Sequence, residues 1–190
     1  MGFVYGGRAI RADGESVGPT AATLPTAEGA VQLAMEELSV TLHGARVMIL
    51  GFGRVGKLTA HRLAALGARV TVAARDYGDL ARAAAYGYGG VRLDGLDHEL
   101  GGCALVINTI PAPVLDGRRL AWAEPDVFLL DLASAPGGID LEAARRRGLR
   151  AVRAPGLPGR TAPVTAAEAI RDAVYHILRE QEERNHGASC

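Results

Sequence analysis

An unbroken apolar run, Arg46-Val47-Met48-Ile49-Leu50, stops on a glycine and is followed at once by Gly51-Phe52-Gly53-Arg54-Val55-Gly56 and a stretch of helical period. No other feature restricts the fold of this chain as strongly. A continuous apolar run is what a central parallel strand, covered on both faces, requires. The three glycines fit a tight strand-to-helix turn: the first makes the turn, the second lets an anion reach the backbone, and the third lets the helix lie close against the strand. Such a helix presents its free first-turn amides and the positive end of its dipole to a phosphate. The spacing alone is a weak signal in a chain with 25 glycines, so its weight comes from the strand before it and the helix after it.

The same grammar repeats downstream. The pattern predicts a helix from Arg54 to Leu66, a strand from Arg69 to Ala74, a helix from Gly78 to Tyr86, a short strand near Gly90 to Leu93, a helix from Gly95 to Leu100 and a strand from Ala104 to Asn108. A short helix around Leu115 to Trp122, a strand from Val127 to Leu132, a helix from Leu141 to Arg147 and a strand from Leu149 to Arg153 follow. Strands alternating with helices at this spacing need crossover connections. The fold class is therefore α/β, a Rossmann-type doubly wound parallel sheet with flanking N- and C-terminal helices. The N-terminal helix opens at Pro25-Thr26-Ala27-Glu28 with Thr26 as its cap and runs to Leu38, and the C-terminal helix spans Ala166 to Glu183. Residues 1–24 read as an irregular arm with at most one short strand near Phe3 to Tyr5, residues 25–184 as the dinucleotide-binding domain, and residues 185–190 as a flexible tail.

Lys+Arg and Asp+Glu both number 21, so nothing in the charge balance favours nucleic acid or an anionic membrane surface. Cys103 and Cys190 provide neither a disulfide framework nor a metal-ligand cluster, and no metal is expected. No apolar run reaches the roughly 18 residues of a membrane span, and the first residues lack a secretory pattern, so the expectation is a cytoplasmic protein.

The end of the second strand sorts the cofactor. Enzymes that use NAD usually place a carboxylate there to accept from the ribose 2′-hydroxyl. Here the place reads Ala74-Arg75-Asp76: a small residue leaves room for a 2′-phosphate and Arg75 can bind it bidentately, which favours NADP, while Asp76 argues for NAD as the alternative. The adenine ligand S-adenosylmethionine is disfavoured by the same lack of an acid at Ala74. Later strand ends point to the same crevice. Asn108-Thr109-Ile110-Pro111, Leu132-Ala133-Ser134 and Gly156-Leu157-Pro158 are the further candidates for cofactor contact.

Pro25-Thr26-Ala27-Glu28-Gly29-Ala30, Leu42-His43-Gly44, the glycine turn, Asn108-Thr109-Ile110-Pro111, Asp131-Leu132-Ala133-Ser134 with Pro136-Gly137-Gly138, and Ala154-Pro155-Gly156-Leu157-Pro158-Gly159 with Ala162-Pro163 together carry a family. In order and spacing, from Leu24 to Leu178, the chain resembles the dipicolinate synthase A-subunit family. The resemblance implies an NAD(P)-linked oxidation of a dihydrodipicolinate-type precursor to dipicolinic acid during sporulation. It also implies a partner, the flavoprotein-like B subunit, and a small dicarboxylate substrate. Family proteins carry a further N-terminal domain, for which only a short arm stands here, so catalysis is expected to need a partner or the missing half. The alternative is a non-catalytic NAD(P)-binding subunit or fragment.

No catalytic base is identified. His43, His61, His98 and His176 all fall away from the strand ends where the chemistry would lie. A dicarboxylate wants a cation near the crevice, and Arg160, with Thr161 beside it, is the candidate. The apolar faces of the two flanking helices lead to the expectation of a homo-oligomer.

Overall fold

The structure is a computed structural model and describes residues 3–5, 8–10, 16–17 and 20–187, with side chains from residue 23 to residue 179. In chain order its elements are β1 (Phe3–Tyr5), β2 (Arg8–Ile10), β3 (Ser16–Val17), α1 (Thr20–Glu37), β4 (Arg46–Leu50), α2 (Arg54–Ala65), β5 (Arg69–Ala74), α3 (Tyr77–Ala85), β6 (Gly89–Arg92), β7 (Leu105–Asn108), β8 (Phe128–Asp131), α4 (Leu141–Arg146), β9 (Arg150–Arg153), α5 (Leu157–Thr161) and α6 (Pro163–Gly187). The chain divides into two compact units: residues 27–155, and residues 1–26 together with 156–190.

The unit of residues 27–155 holds a six-stranded sheet in the order β6-β5-β4-β7-β8-β9, with every neighbouring pair parallel. From β4 the chain winds outward through β5 to β6, then returns to lay β7 on the other side of β4. That reversal opens the crevice beyond the carboxyl ends of β4 and β7, where ligands of such sheets bind. Helix α2 packs on β4 and β5, α3 on β5 and β6, and α4 on β9.

Alternation along each strand divides the core between the two faces. Met48 and Leu50 on β4, Val106 on β7 and Leu129 on β8 join Leu93, Leu96, Leu100, Leu115, Leu120 and Ile139 in one buried cluster. Val47, Ile49, Val72, Leu105, Ile107, Phe128 and Leu130 are buried on the other face. In-register pairing then sets Leu50, Asn108, Asp131 and Arg153 side by side in the last row of the first face. A row that starts apolar and ends in three polar residues marks where the sheet stops being core and becomes site.

The other unit contains the antiparallel sheet β1-β2-β3 and the helices α5 and α6. Ala173 and Ile177 form a small buried cluster on α6.

Several boundaries differ from the sequence expectation. Three short strands stand among residues 3–17, where at most one was expected; two- and three-residue strands leave too short an alternation to read. Helix α1 starts at Thr20, so Thr26 lies inside it and does not cap it. Pro25, expected just before the cap, stands in the second turn, where it removes a single helix bond, and the buried face of Ala27, Ala30 and Ala34 still favours the helix. Gly95 to Leu100 forms two 3₁₀ turns, Leu93–Gly95 and Asp97–Glu99, and of Leu115 to Trp122 only Arg119–Trp122 is helical, also 3₁₀. Leu115 instead makes a parallel bridge with Ile139. Leu157–Thr161, expected as loop, is a short helix entered through left-handed Gly156 with proline in its first turn. Helix α6 begins at Pro163 and runs to Gly187, beyond the expected end, and residues 188–190 lie outside the described residues. Among the described residues no helix is long and apolar enough to cross a membrane.

Candidate functional site

The glycine turn joins β4 to α2 at the switch in strand order. Gly51 has φ +91°, a left-handed conformation that disfavours any side chain, and a Cβ there would stand 2.7 Å from the Thr109 hydroxyl. A Cβ on Gly56 would run into the carbonyl of Gly51, so the third glycine is what lets α2 start this close to the strand. Gly53 is different: a Cβ there would meet nothing within 4 Å. Its open side lies at the N-terminus of α2, where Gly53 is the cap residue and the first intrahelical bond runs from Lys57 N to Gly53 O at 2.9 Å. The amides before Lys57 at this helix end have no intrahelical acceptor by geometry. An anion approaching Gly53 would therefore meet backbone donors and the positive end of the helix dipole together.

Phe52 contributes backbone to this turn but not its ring. The ring is buried, 6.3 Å from each of Tyr86 and Tyr88, with Lys57 Nζ 5.7 Å from its centre. Arg54 and Val55 lie in the first turn of α2, one exposed and the other half-buried. Thr109 ties the turn to β7: its backbone N–H and its hydroxyl both donate to Leu50 O, at 2.9 and 2.8 Å.

At the carboxyl end of β8 a polar network holds the neighbouring loop. Asn108 and Asp131 are 0% and 1% exposed. The Asn108 side chain donates to Asp131 Oδ1 at 2.8 Å and to Ile110 O at 3.0 Å, and accepts from Ile110 N at 3.1 Å. Asp131 accepts in addition from Ala133 N (3.1 Å), Gly138 N (2.9 Å) and Ile139 N (3.3 Å). Both carboxylate oxygens are thus engaged by donors that remain buried, and what these two side chains offer a ligand is the backbone they position. Between Ala133 and Gly138 runs a turn closed by Gly137 N on Ser134 O, with a cis Ala135–Pro136 bond. Ser134 and Pro111 are exposed, Leu132 and Ile110 half-buried, and Ala133 buried. Arg153 Nη2 is buried without a hydrogen-bond partner among the described residues, next to Gly137.

At the carboxyl ends of β5 and β6 lies a cavity of about 270 Å³ lined by Arg75, Arg92, Leu93, Asp94, Pro113, Val114 and Arg119. Leu93 and Val114 are buried and give it an apolar side, while the arginines make the remainder cationic. Ala74 is buried beside it and Arg75 is exposed. The structure also accounts for Asp76: its carboxylate caps α3, accepting from Asp79 N at 3.1 Å. The acid that argued for NAD is engaged by a helix end.

Gly156, Leu157, Pro158, Arg160 and Thr161 belong to the other unit. Leu157 is buried there, and Arg160 is exposed on α5. Within residues 27–155 the structure brings together the glycine turn, the Ala74-Arg75 strand end, Thr109-Ile110 and the loop from Leu132 to Ile139. Sequence reasoning passed over Arg92, Asp94 and Val114. The strand-end rule that selected the other loops would have found the first two had it been applied to the third strand as well; Val114 carries no signal beyond being apolar.

The comparisons with known proteins follow the same geometry. Residues 22–133 match the model of the D-isomer specific 2-hydroxyacid dehydrogenase, NAD binding domain. The A subunit of dipicolinate synthase from Bacillus subtilis is 40% identical over 158 residues, which is 83% of this chain and 53% of that protein. The crystal structure of the A subunit of dipicolinate synthase from Bacillus halodurans aligns with a TM-score of 0.82 at 42% identity, over 84% of this chain and 55% of the other. That of the Bacillus subtilis protein aligns with a TM-score of 0.84 at 38% identity, over 87% and 55%. The chain therefore spans about half the length of the relatives it matches. With its glycine turn, six-stranded parallel sheet and similarity to the dipicolinate synthase A subunits, the chain belongs to the NAD-binding domain family of the D-isomer specific 2-hydroxyacid dehydrogenases.

Proposed function

We propose that this chain is the NADP-binding portion of a dipicolinate-synthase-type oxidoreductase of the cytoplasm. The overall reaction would oxidise a dihydrodipicolinate-type dicarboxylate to dipicolinic acid, with a hydride passing to the cofactor and a proton released. The open side of Gly53 at the N-terminus of α2 is the observation that carries the cofactor. The dipicolinate assignment is supported by identities of 38–42% over more than four fifths of the chain.

The residues fit a dinucleotide. The pyrophosphate would lie against Gly53 and the first-turn amides of α2, and the adenosine would reach into the cavity at Arg75, with its base against Leu93 and Val114. The Leu132 to Ile139 loop would shape the nicotinamide end through its backbone. The bound cofactor would supply the hydride acceptor. Asp131 is fully engaged, so the group that removes the ring proton is assigned to the half of the family proteins that this chain does not match, or to a B-type partner subunit. The exposed Arg160, with Thr161, remains the candidate contact for a substrate carboxylate, and self-association is the proposed state of the isolated chain.

Arg75 is the proposed reader of the 2′-phosphate, since one oxygen of Asp76 caps α3 and Ala74 carries no acid. A charge-assisted bidentate contact contributes roughly 1.5 to 3 kcal/mol, so NADPH should bind about tenfold or more tightly than NADH. Titration of the wild type and Arg75→Ala with both cofactors tests this. Equal affinity in the wild type would remove the NADP assignment.

A further inference from the structure

Arg92 ends β6 beside the end of β5, where Ala74 is its in-register partner. Its guanidinium is held on three sides. Nε donates to both oxygens of Asp94 at 3.1 Å and Nη2 to Asp94 Oδ2 at 2.9 Å. Nη1 donates to the backbone carbonyl of Arg75 at 3.3 Å, and the carbon of the guanidinium lies 4.8 Å from the centre of the Tyr77 ring. These bonds draw on all three nitrogens, and the Tyr77 side chain is a further hydrogen-bond partner of the guanidinium. The edge formed by Nε and Nη2, which Asp94 holds, is one that also matches two oxygens of a phosphate.

The third arginine of the cavity is arranged differently. Arg119 donates from Nε to Asp97, from Nη1 to Val114 O and from Nη2 to Leu93 O, so it builds the wall. Arg75 and Arg92 are the two cations that share the rim, joined through the Arg75 carbonyl.

Asp94 lines the same cavity with a side chain that is 68% exposed. The hydrogen bond from Arg92 holds its carboxyl below the ordinary range, so it is charged at neutral pH. An ion pair this open to water is weak, and a phosphate dianion can displace the carboxylate. A plain ribose offers a hydroxyl that can donate to it instead.

We infer that Arg92 and Asp94 form a second determinant of the group on the ribose 2′ position: Arg92 takes a 2′-phosphate on the edge that Asp94 holds, and Asp94 is the counter-ion that the phosphate displaces and a plain 2′-hydroxyl keeps. Tyr77, against the guanidinium at 4.8 Å, helps to fix its plane. The inference rests on the dinucleotide reading above, and adds residues from the third strand that decide between its two forms.

The test measures binding of 2′,5′-ADP and 5′-AMP, and then of NADPH and NADH, to the whole chain by calorimetry. Arg92→Gln is expected to reduce the preference for the 2′-phosphorylated ligand by tenfold or more. Asp94→Asn is expected to raise that preference several-fold, chiefly by weakening NADH. Should Arg92→Gln fail to fold, Arg92→Lys, which keeps the charge and loses the paired edge, is expected to give an intermediate loss. A wild type with no preference defeats the NADP reading itself. A wild type with a preference that a folded Arg92 variant leaves unchanged, or that Asp94→Asn lowers or leaves unchanged, overturns this inference and leaves that reading standing.

Discussion

Gly53 and Gly56 stand three residues apart in one turn, and the structure predicts opposite consequences for enlarging them. Gly53 has φ −75° and ψ −164°, an extended conformation that valine also adopts, and its Cβ would point into open space. Gly53→Val should therefore fold, at a cost below about 1 kcal/mol for a poorer helix cap. The added methyls would occupy the place assigned to the pyrophosphate. Losing two hydrogen bonds to a charged group removes roughly 3 to 6 kcal/mol, a weakening of about 10² to 10⁴ in Kd. Gly56→Ala adds only one carbon, but that carbon overlaps the Gly51 carbonyl, which is backbone and cannot swing aside. The helix must shift off the strand, at about 1 to 3 kcal/mol, which lowers Tm by roughly 2 to 12 °C in a chain of this size. Thermal unfolding followed by circular dichroism, with NADPH titration by fluorescence, measures both. A Gly53→Val protein that melts as early as Gly56→Ala, or that binds NADPH within a few-fold of wild type, would refute the separation of a binding glycine from a packing one.

Asp131→Asn should lower stability by about 2 to 4 kcal/mol in urea unfolding, because an amide group would face one or more of the four buried donors that the carboxylate now accepts from; a loss under about 1 kcal/mol would contradict the network. Cys103 is buried, its thiol donates to Glu99 O, and burial pushes its pKa up, so peptide-resolved alkylation at pH 8 should label it far more slowly than an unfolded control. Equal labelling would mean the 3₁₀ region opens readily. The chain alone, given NADP and freshly generated dihydrodipicolinate-type precursor, should show no reduced cofactor by absorbance until a B-type subunit or the part of the relatives that this chain does not match is supplied; robust turnover by itself would show that a catalytic group is present here, with Ser134 and Arg160 the first to replace.

The sheet and its crevice were legible because they rest on signals that local sequence carries: apolar runs of strand length, glycines at the turn, helical period between them. The antiparallel strands and the 3₁₀ turns were not, since they are too short to show a period. The fate of polar residues was legible only in part. Asn108, Asp131 and Ser134 all stand at strand ends, where a side chain is expected to face a ligand, yet the side chains of the first two turn inward. That outcome depends on the path of residues 133–139, which brings Gly138 and Ile139 back over β8, and no pattern in the sequence encodes such a return. Asp76 shows the same limit: whether a carboxylate caps the next helix or meets a ribose is decided by one torsion. Arg92 was missed for a simpler reason: the short strand near Gly90 to Leu93 was read, but its end was not searched for ligand contacts as the other strand ends were.

Thr109 gives the glycine turn a property that its glycines do not. By bonding Leu50 O through both its amide and its hydroxyl, it fixes the exit of β4 to the neighbouring strand through contacts internal to the chain. Glycine-rich loops that order only on binding surrender about 1 to 2 kcal/mol per residue of backbone freedom at that moment. Here that loss belongs to folding. Cofactor capture should then be a one-step encounter whose observed rate rises linearly with concentration, and its heat should be dominated by contacts, with little opposing entropy from the chain. Disturbances on β7, one strand away from any phosphate, should register as weaker affinity through faster release.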